Sequence, residues 1–516
     1  MAIVNANQKG KTVADPNAAY LSIRDTWSRN RAVYNGERFV KDYDRILNTF
    51  VSDGNLLLPF SASMTQAQYD FYRAEAELPG ITSQYVRMLA GGILRKGPQL
   101  TLPNEVPKDV RDWLVNEFSQ DSSSLLSFVE KVLLEELQTA RAWIYVDYPK
   151  VKNPSRMTTE DYLALKPYPV MWDAESVINW RVEKDPDSGA KRLMQVIVSG
   201  YTEDILANEF HPALVETIWV HEIVNKKYQV RIFKLGTEQP VIVAGGKRQT
   251  QNSASKPVYL LTDTITGYKI QGQPLDFIPA WPVSGDVELT DPLITALVNK
   301  EVALYNKVSR RNHLLYGAAT YTPIITTSMT DEQFDAVVES GLGTWIKLRQ
   351  GDTATVLETP TGALTDMDRA IAANIEDMAK LGVRMLTPEI SQSGVALELR
   401  NATQTAVLGT LNAKMCAVFK TVIAFMIQWR YGISLNSADI EFILSDDFEN
   451  NNVTVDWMRL ATEWYQSGLI PRSSWLILLK NNDLLPRDYD DIAAQNETTN
   501  DPNMIPKASD SEISAL

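Results

Sequence analysis

Three histidines (His211, His221 and His313), one cysteine (Cys416) and two acidic clusters are the side chains with the most obvious capacity for chemistry. The acidic clusters are Asp446-Asp447 and the "DYDD" run at 488–491. The spaced ligand pairs that mark a zinc site in sequence are missing, since no histidine stands at metal-ligand spacing with another ligand. A single cysteine can form neither an intramolecular disulfide nor a multi-thiolate metal site. It lies in an apolar helical stretch, where an inert core thiol is the ordinary outcome. An Asp pair ahead of a helix reads first as a cap. Neither the H-E-x-x-H helix, the G-x-S-x-G elbow nor a glycine-rich phosphate loop occurs. "AGGKRQTQNSASKP" (244–257) lacks the glycine spacing of a phosphate loop and reads as a polar connection. The expectation is a protein that is not an enzyme and carries no cofactor and no metal.

Charge narrows the choice further. The 516 residues carry a formal net charge of −14, with 44% hydrophobic and 22% charged residues. Such a chain can bury a sizeable core. It does not grip nucleic acid through a broad basic face, because phosphate neutralisation supplies most such affinity. A surface that nucleic acid must slide past is compatible with it. The start, "MAIVNANQKGKTVADPN", has no apolar signal core. The longest apolar run, "AVFKTVIAFMIQW", is interrupted by Lys420 and falls short of the ~20 residues of a span. A soluble protein in a reducing compartment is expected.

The elements that must position any site follow from periodicity. Residues 1–140 read as helices: "DPNAAYLSIRDTWSRNRAVYNG" with an Asp-Pro start, "TQAQYDFYRAEAELPG", "TSQYVRMLAGGILRKGP" ending in its glycines, "PKDVRDWLVNEFS" and "SLLSFVEKVLLEELQTA". From 141 to 282 the pattern alternates, in "RAWIYVDYP", "VINWRVEK", "RLMQVIVSGY", "ETIWVHEIV" and "KYQVRIFKL", predicting an antiparallel β region. A helix opens at Asp291-Pro292 with Leu293, Leu297, Leu304, Val308 and Leu315 on one face. Lys300, Lys307, Arg310 and Arg311 lie on the other. They read either as a solvated basic end or as a binding face.

Residues 318–364 predict a small strand–helix–strand–strand unit, whose acidic helix "TDEQFDAVVESG" is capped by Thr330. Its two last strands, "TWIKLRQ" and "TATVLETP", meet at Gly351-Asp352. Thr365 caps a second long helix with Met367, Ile371, Ile375, Met378 and Met385 as its stripe. The segment "TPEISQSGV" (387–395) then breaks the helical pattern. Pro388 cannot donate an amide, and Gly394 permits positive φ. From 398 to 431 a long helix carries Leu408, Leu411, Met415, Val418, Phe419, Val422, Met426 and Trp429. The C-terminal "TVDWMRLATEWYQSG", "RSSWLILLKNNDLLP" and "RDYDDIAAQNE" are helical. The first two superficially match a DNA-reading helix-turn-helix. Trp475 and Leu476 through Leu479, with Arg472 and Lys480 as the cations, read instead as core or subunit contact. A tail from about Thr498 predicts disorder.

This ordered set resembles the portal proteins of tailed bacteriophages. "YNGERFVKDY", "YDFYRAEAELPG" and "LAGGILRKGP" resemble the N-terminal region of one portal subfamily. "GTWIKLRQGDTATVLETPTG" followed by "MAKLGVRML" is similar to the strand-to-helix passage of many portals. "GLIPRSSW" is similar to their C-terminal G-x-I-S-x-x-T pattern, from which Pro471 and Trp475 depart. The resemblance implies an α+β, mainly helical fold with a wing (1–289), a descending stem helix (290–317), a clip (318–364), an ascending stem helix (365–386), a tunnel loop (387–397), a long wing helix and following strand (398–450) and a helical crown (451–516).

It also implies a homo-oligomeric ring, usually of twelve subunits, at one capsid vertex of the virion, assembled in the host cytoplasm. Its partners would be the major capsid protein, the terminase large subunit and a head-tail adaptor or tail proteins. Double-stranded DNA would pass through the ring without sequence specificity during packaging, retention and ejection, and no membrane would be involved. Thr387, Pro388, Glu389, Ile390, Ser391, Gln392, Ser393, Gly394 and Val395 would lie at the DNA channel. Thr330, Asp331, Glu332, Asp335 and Glu339 would form the clip's docking face. The alternative is a DNA-binding or enzymatic component of the packaging apparatus.

Overall fold

The computed structural model describes residues 12–42, 57–58, 65–149, 165–184, 189–204, 210–237, 257–319, 322–326, 330, 351, 353–357, 362–381, 394–445 and 455–481. Two compact units divide between Phe448 and Glu449. The architecture mixes α and β, and helices occupy more of the described residues than strands.

The first unit begins with α1 (Ala18–Asn35), capped by Asn17, whose side chain accepts the Ala19 N–H. The cap is therefore two residues later than the Asp15-Pro16 signal. Proline has no amide to be capped, so the first free donor belongs to the following turn. The helix stops at Gly36, whose φ of 97° lies outside the range most side chains adopt. Helix α2 (Gln66–Glu75) carries a capping box between Thr65 and Gln68. Helix α3 (Ile81–Leu94) runs through Gly91 and Gly92 instead of ending there. Its buried stripe, Tyr85, Val86, Leu89 and Ile93, continues across both glycines. That burial outweighs the ~1 kcal/mol that each interior glycine costs a helix. Helices α4 (Lys108–Asn116) and α5 (Leu125–Thr139) follow a short strand, β1 (Gln99–Thr101).

The expected antiparallel β region is present. Strands β2 (Trp143–Asp147) and β3 (Tyr168–Trp172) join β11 (Ala280–Pro282) in a three-stranded sheet ordered β11-β2-β3. Strands β4 (Val177–Lys184), β5 (Lys191–Asp204), β6 (Ala213–Val224), β7 (Lys227–Thr237) and β8 (Pro257–Ile265) form a five-stranded antiparallel meander. Sequence reasoning missed β8, whose "LLTDT" exposes Leu260 and Leu261 and so shows no clean alternation. A two-residue hairpin, β9 (Lys269–Ile270) with β10 (Gln273–Pro274), precedes β11.

The remaining elements of this unit are α6 (Thr295–Ala319), β12 (Thr322–Thr326), β13 (Thr353–Leu357), α7 (Gly362–Lys380), α8 (Gly394–Tyr431) and β14 (Glu441–Ile443). Three expected helix starts move. Helix α6 opens at Thr295, whose N–H closes a turn onto the Pro292 carbonyl, leaving Leu293 exposed ahead of the helix. Helix α7 opens at Gly362, so Thr365 stands inside its first turn rather than capping it. Helix α8 opens at Gly394, so Gly394, Val395, Ala396 and Leu397 belong to the helix and not to the expected loop. The first-turn amides have no intrahelical acceptor, so the local apolar pattern does not fix which residue opens the helix. The loop's other residues, 387–393, lie outside the described residues.

At 1.5 Å per residue, the 38 residues of α8 span about 57 Å. By length and composition its Leu408–Tyr431 stretch is apolar enough to cross a membrane, contrary to the expectation that no segment would be. It is instead largely enclosed by the protein. Val422 through Ile427 are buried on every side of the helix, as in a helix at the centre of a core. Phe419 stacks on Phe442 at 5.2 Å and meets Phe118 and Phe128. Phe425 meets Phe277 and Trp281 edge-on, each at 5.4 Å. Cys416 is half-buried, its thiol donating to Asn412 Oδ1 at 3.3 Å.

The end of α5 carries a buried polar group with a pH signature. Burial pushes the Glu136 carboxyl up to about 7, against the lowering pull of the Ala142 N–H that it accepts at 2.9 Å. The folded chain therefore holds this proton at pH values where the unfolded chain has lost it. Glu136's contribution is fully present below about 4.5 and is lost as pH rises through about 7. Glu136→Gln is expected to gain stability relative to the parent chain as pH rises across that window. Urea unfolding of both proteins at several pH values measures this, and a pH-independent difference would refute it.

In the second unit, α9 (Val455–Gln466) and α10 (Arg472–Asn481) form a hairpin turned at Gly468, whose φ is 76°. Tyr465 stacks on Trp475 with ring centres 4.8 Å apart, and Leu476 and Leu479 are buried. Trp475, Leu476 and Leu479 are thus taken up in packing, in keeping with the reading as core or subunit contact rather than as a DNA-reading helix. The "RDYDDIAAQNE" segment and the tail from Thr498 lie outside the described residues.

Candidate functional site

Helices α6 and α7 flank the antiparallel strand pair β12–β13 and run antiparallel to one another. The hairpin register runs from Thr322 opposite Leu357 to Thr326 opposite Thr353. Gly351, with φ of 101°, takes the turn conformation expected at Gly351-Asp352. The "TWIKLRQ" strand falls outside the described residues.

Apolar and polar contacts both zip the helix pair. Leu297, Leu304 and Met378 are buried, while Leu315 and Ile375, expected on the apolar faces, are exposed. Burial on α7 instead centres on Asn374 and Met378, and Asn374 Nδ2 donates to the Lys300 carbonyl at 2.8 Å. The buried face of α7 is therefore rotated by about one residue from the one that hydrophobicity alone predicts. Met385 lies outside the described residues.

Three of the four cations singled out on α6 reach α7. Lys300 Nζ meets Asp377 Oδ2 at 2.8 Å. Lys307 Nζ donates to the Ala370 carbonyl at 3.2 Å. Arg311 Nε pairs with Asp368. The partners fall along α7 as the cations climb α6, which is the register of an antiparallel pair. The fourth, Arg310, bonds the hydroxyl of Tyr72 on α2. Burial raises that hydroxyl's pKa, and Arg310 pulls it the other way. Exposed pairs of this kind contribute at most about 1 kcal/mol each, so their main effect is to hold register.

The residue that sequence reasoning passed over is Glu301. It is fully buried, and its two oxygens accept the N–H groups of Ile81 at 2.8 Å and Thr82 at 2.6 Å. These are the first amides of α3, whose preceding residue, Gly80, has no side chain to cap them. A carboxylate at a helix N-terminus satisfies the open donors and faces the positive end of the dipole. The signal was available: Glu301 follows Leu297 by four residues and precedes Val308 by seven, so it sits on the apolar face, where a charge needs a partner.

Of the proposed clip residues, Thr330 is exposed, while Asp331, Glu332, Asp335 and Glu339 lie outside the described residues, as do Thr387, Pro388, Glu389, Ile390, Ser391, Gln392 and Ser393. His211 is exposed, two residues ahead of β6. His313 packs edge-on to Tyr72 at 5.3 Å, and His221 lies in the core. Among the described residues no three of His, Cys, Asp and Glu converge as a metal site.

Residues 292–430 match the model of a family described as a domain of unknown function, DUF4055. The matched block takes in α6, the hairpin, α7 and α8 but for its last residue. No curated protein matches the chain. Among solved structures, a chain described as "Neck of empty GTA particle computed with C6 symmetry" is similar at a TM-score of 0.39 and 12% identity, over 84% of this chain and 98% of that one. A chain described as "Neck of native GTA particle computed with C12 symmetry" gives 0.33 and 11%, over 85% and 98%. Likenesses at this level carry no argument about what the chain does.

Proposed function

We propose that this protein is a ring-forming portal: a conduit for DNA at one capsid vertex and a docking platform for a packaging motor and a tail adaptor. The observation that carries the reading is the ordered block of α6, the β12–β13 hairpin, α7 and α8. Two long antiparallel helices carry a small β unit at their far end, and a helix of 38 residues returns into the core. This is the stem, clip and wing-helix order that the sequence resemblance implies. Stem helices held in register by ion pairs can line a channel while the clip projects from its rim. The segment 387–393, between the end of α7 and the start of α8, is the proposed tunnel loop. The net charge of −14 favours passage over adhesion, within roughly the 8 Å over which charge acts at physiological salt.

In this reading the chain does no chemistry of its own. Native mass spectrometry of the full-length protein tests it, with nucleotide turnover assayed alongside. A closed ring of about a dozen copies without nuclease or ATPase activity is expected. A monomer or dimer that hydrolyses nucleotide would overturn the conduit reading in favour of an enzymatic packaging component.

A further inference from the structure

Part of one face of the five-stranded sheet is bare. Alternation fixes which side chains share that face. On β5 and β6, Ile197 stands opposite Val220, Tyr201 opposite Glu216 and Glu203 opposite Leu214. Ile218, two residues before Val220, stands opposite Phe233 of β7. Phe233 and Leu235 stand in turn opposite Leu261 and Tyr259 of β8. Where α1 crosses this face it is covered: Ile197, Ile218 and Val220 are buried with Tyr20, Ile23 and Trp27 in the smaller of the two apolar clusters. Beyond α1 the cover ends. Tyr201 is 68% exposed, Leu214 66%, Leu261 51% and Leu235 36%. These four large side chains lie on four neighbouring strands, and contiguous apolar surface of this kind marks a place where something docks.

The bare surface is acidic at its margin. Glu203 is exposed, and Glu216 bonds the hydroxyl of Tyr259. Burial first, then Glu216, raises the pKa of that hydroxyl, with Tyr201 and Asp15 adding to the effect. Asp15 therefore lies near the same ring. The chain enters the described residues here. Val13 and Ala14 pack against the smaller cluster, as do Phe233 and Tyr259. The Asn17 N–H donates to the Ile178 carbonyl at 2.9 Å, which ties the entry to β4.

We propose that residues 1–11 of this chain dock on the bare surface, with Ile3 and Val4 on its four exposed apolar side chains and Lys9 and Lys11 toward Glu203 and Glu216. Charge and polarity are complementary. The stretch before Asp15 contains Lys9 and Lys11 and no Asp or Glu, and it opens with "MAIV". Reach is sufficient. Crossing from β5 to β8 takes three interstrand spacings, roughly 14 Å, while the eight residues from Val4 to Thr12 span up to roughly 26 Å when extended. A segment tethered this close acts at an effective concentration on the order of millimolar, so a contact too weak to hold a free peptide is filled. Exposed ion pairs contribute little, and the apolar residues carry most of the contact.

Tyrosine acetylation by N-acetylimidazole, followed residue by residue by mass spectrometry, tests this on the full-length protein. Tyr201 is expected to react at least fivefold more slowly than in a variant lacking residues 2–11, while Tyr316, also exposed, reacts equally in both. Ile3→Asp/Val4→Asp keeps the length and sets acid against acid, and is expected to free Tyr201 to the same extent. An unchanged Tyr201 rate in either variant would overturn the proposal without bearing on ring assembly. Carbodiimide cross-linking of co-assembled light and ¹⁵N-labelled chains identifies the owner of the segment. Products joining Lys9 or Lys11 to Glu203 or Glu216 are expected to be wholly light or wholly heavy. Mixed-isotope products would overturn the assignment in favour of a segment from a second copy.

Discussion

Glu301→Ala is expected to destabilise the unit Met1–Phe448 by about 3 kcal/mol, the sum of two buried amides left without an acceptor, at roughly 1–3 kcal/mol each. The substitution removes the carboxylate that terminates α3, and no side chain at Gly80 can take its place. Glu301→Gln keeps one acceptor oxygen and turns an NH₂ group toward the other amide, so a loss nearer half that size is expected. Urea midpoints at constant slope measure both. Hydrogen exchange of the Ile81 and Thr82 amides locates the effect, because those two sites should lose protection first. A cost under about 1 kcal/mol for the alanine variant, with unchanged exchange, would mean that water replaces the carboxylate freely.

Arg31→Met is the other large effect. Arg31 holds Glu135 through two contacts of 2.8 Å and Glu175 through contacts of 3.0 and 2.6 Å. Glu135 is 4% exposed and also accepts the Ala174 N–H at 3.0 Å. Removing the guanidinium leaves that charge buried without a cation, which costs about 3–5 kcal/mol in comparable pairs. Arg31 is itself 29% exposed, so the lower end, about 3 kcal/mol, is expected after solvent screening. The double variant Arg31→Met/Glu135→Gln should recover part of the loss by removing the uncompensated charge. Additive losses in that double-mutant cycle would show that the two side chains act separately.

Both effects illustrate what the sequence could and could not convey. The helices and most strands were legible because burial imposes period 3.6 or 2 on apolar residues. Strand β4 coincides with "VINWRVEK", and the stripe from Leu408 to Trp429 lies on one helix. Helix starts at Thr295, Gly362 and Gly394 were not legible, because each depends on where orphan amides find acceptors. The cations of α6 were visible as a basic face. Their partners Asp377 and Asp368 lie on a helix more than fifty residues away, and only the antiparallel return of α7 brings them within reach. The surroundings of His221 were invisible for a similar reason. It reads as an ordinary alternating strand residue, and only the approach of two separate sheets sets it against Tyr145 and Trp172.

The pairing of β1 with β14 sets a schedule for synthesis. Gln99–Thr101 pairs with Glu441–Ile443, about 340 residues further along the chain. At the ~5–20 residues per second of translation, Leu100 emerges roughly 17–70 s before its opposite number Phe442 exists. The meander β4 to β8 needs only chain neighbours and can close during that interval. The apolar surface around α3 and α5 must wait for α8, whose Phe419 and Phe425 complete it. A nascent chain halted before residue 394 would therefore present that surface uncovered, and the N-terminal half is the part of this protein that most needs shelter while the ribosome finishes.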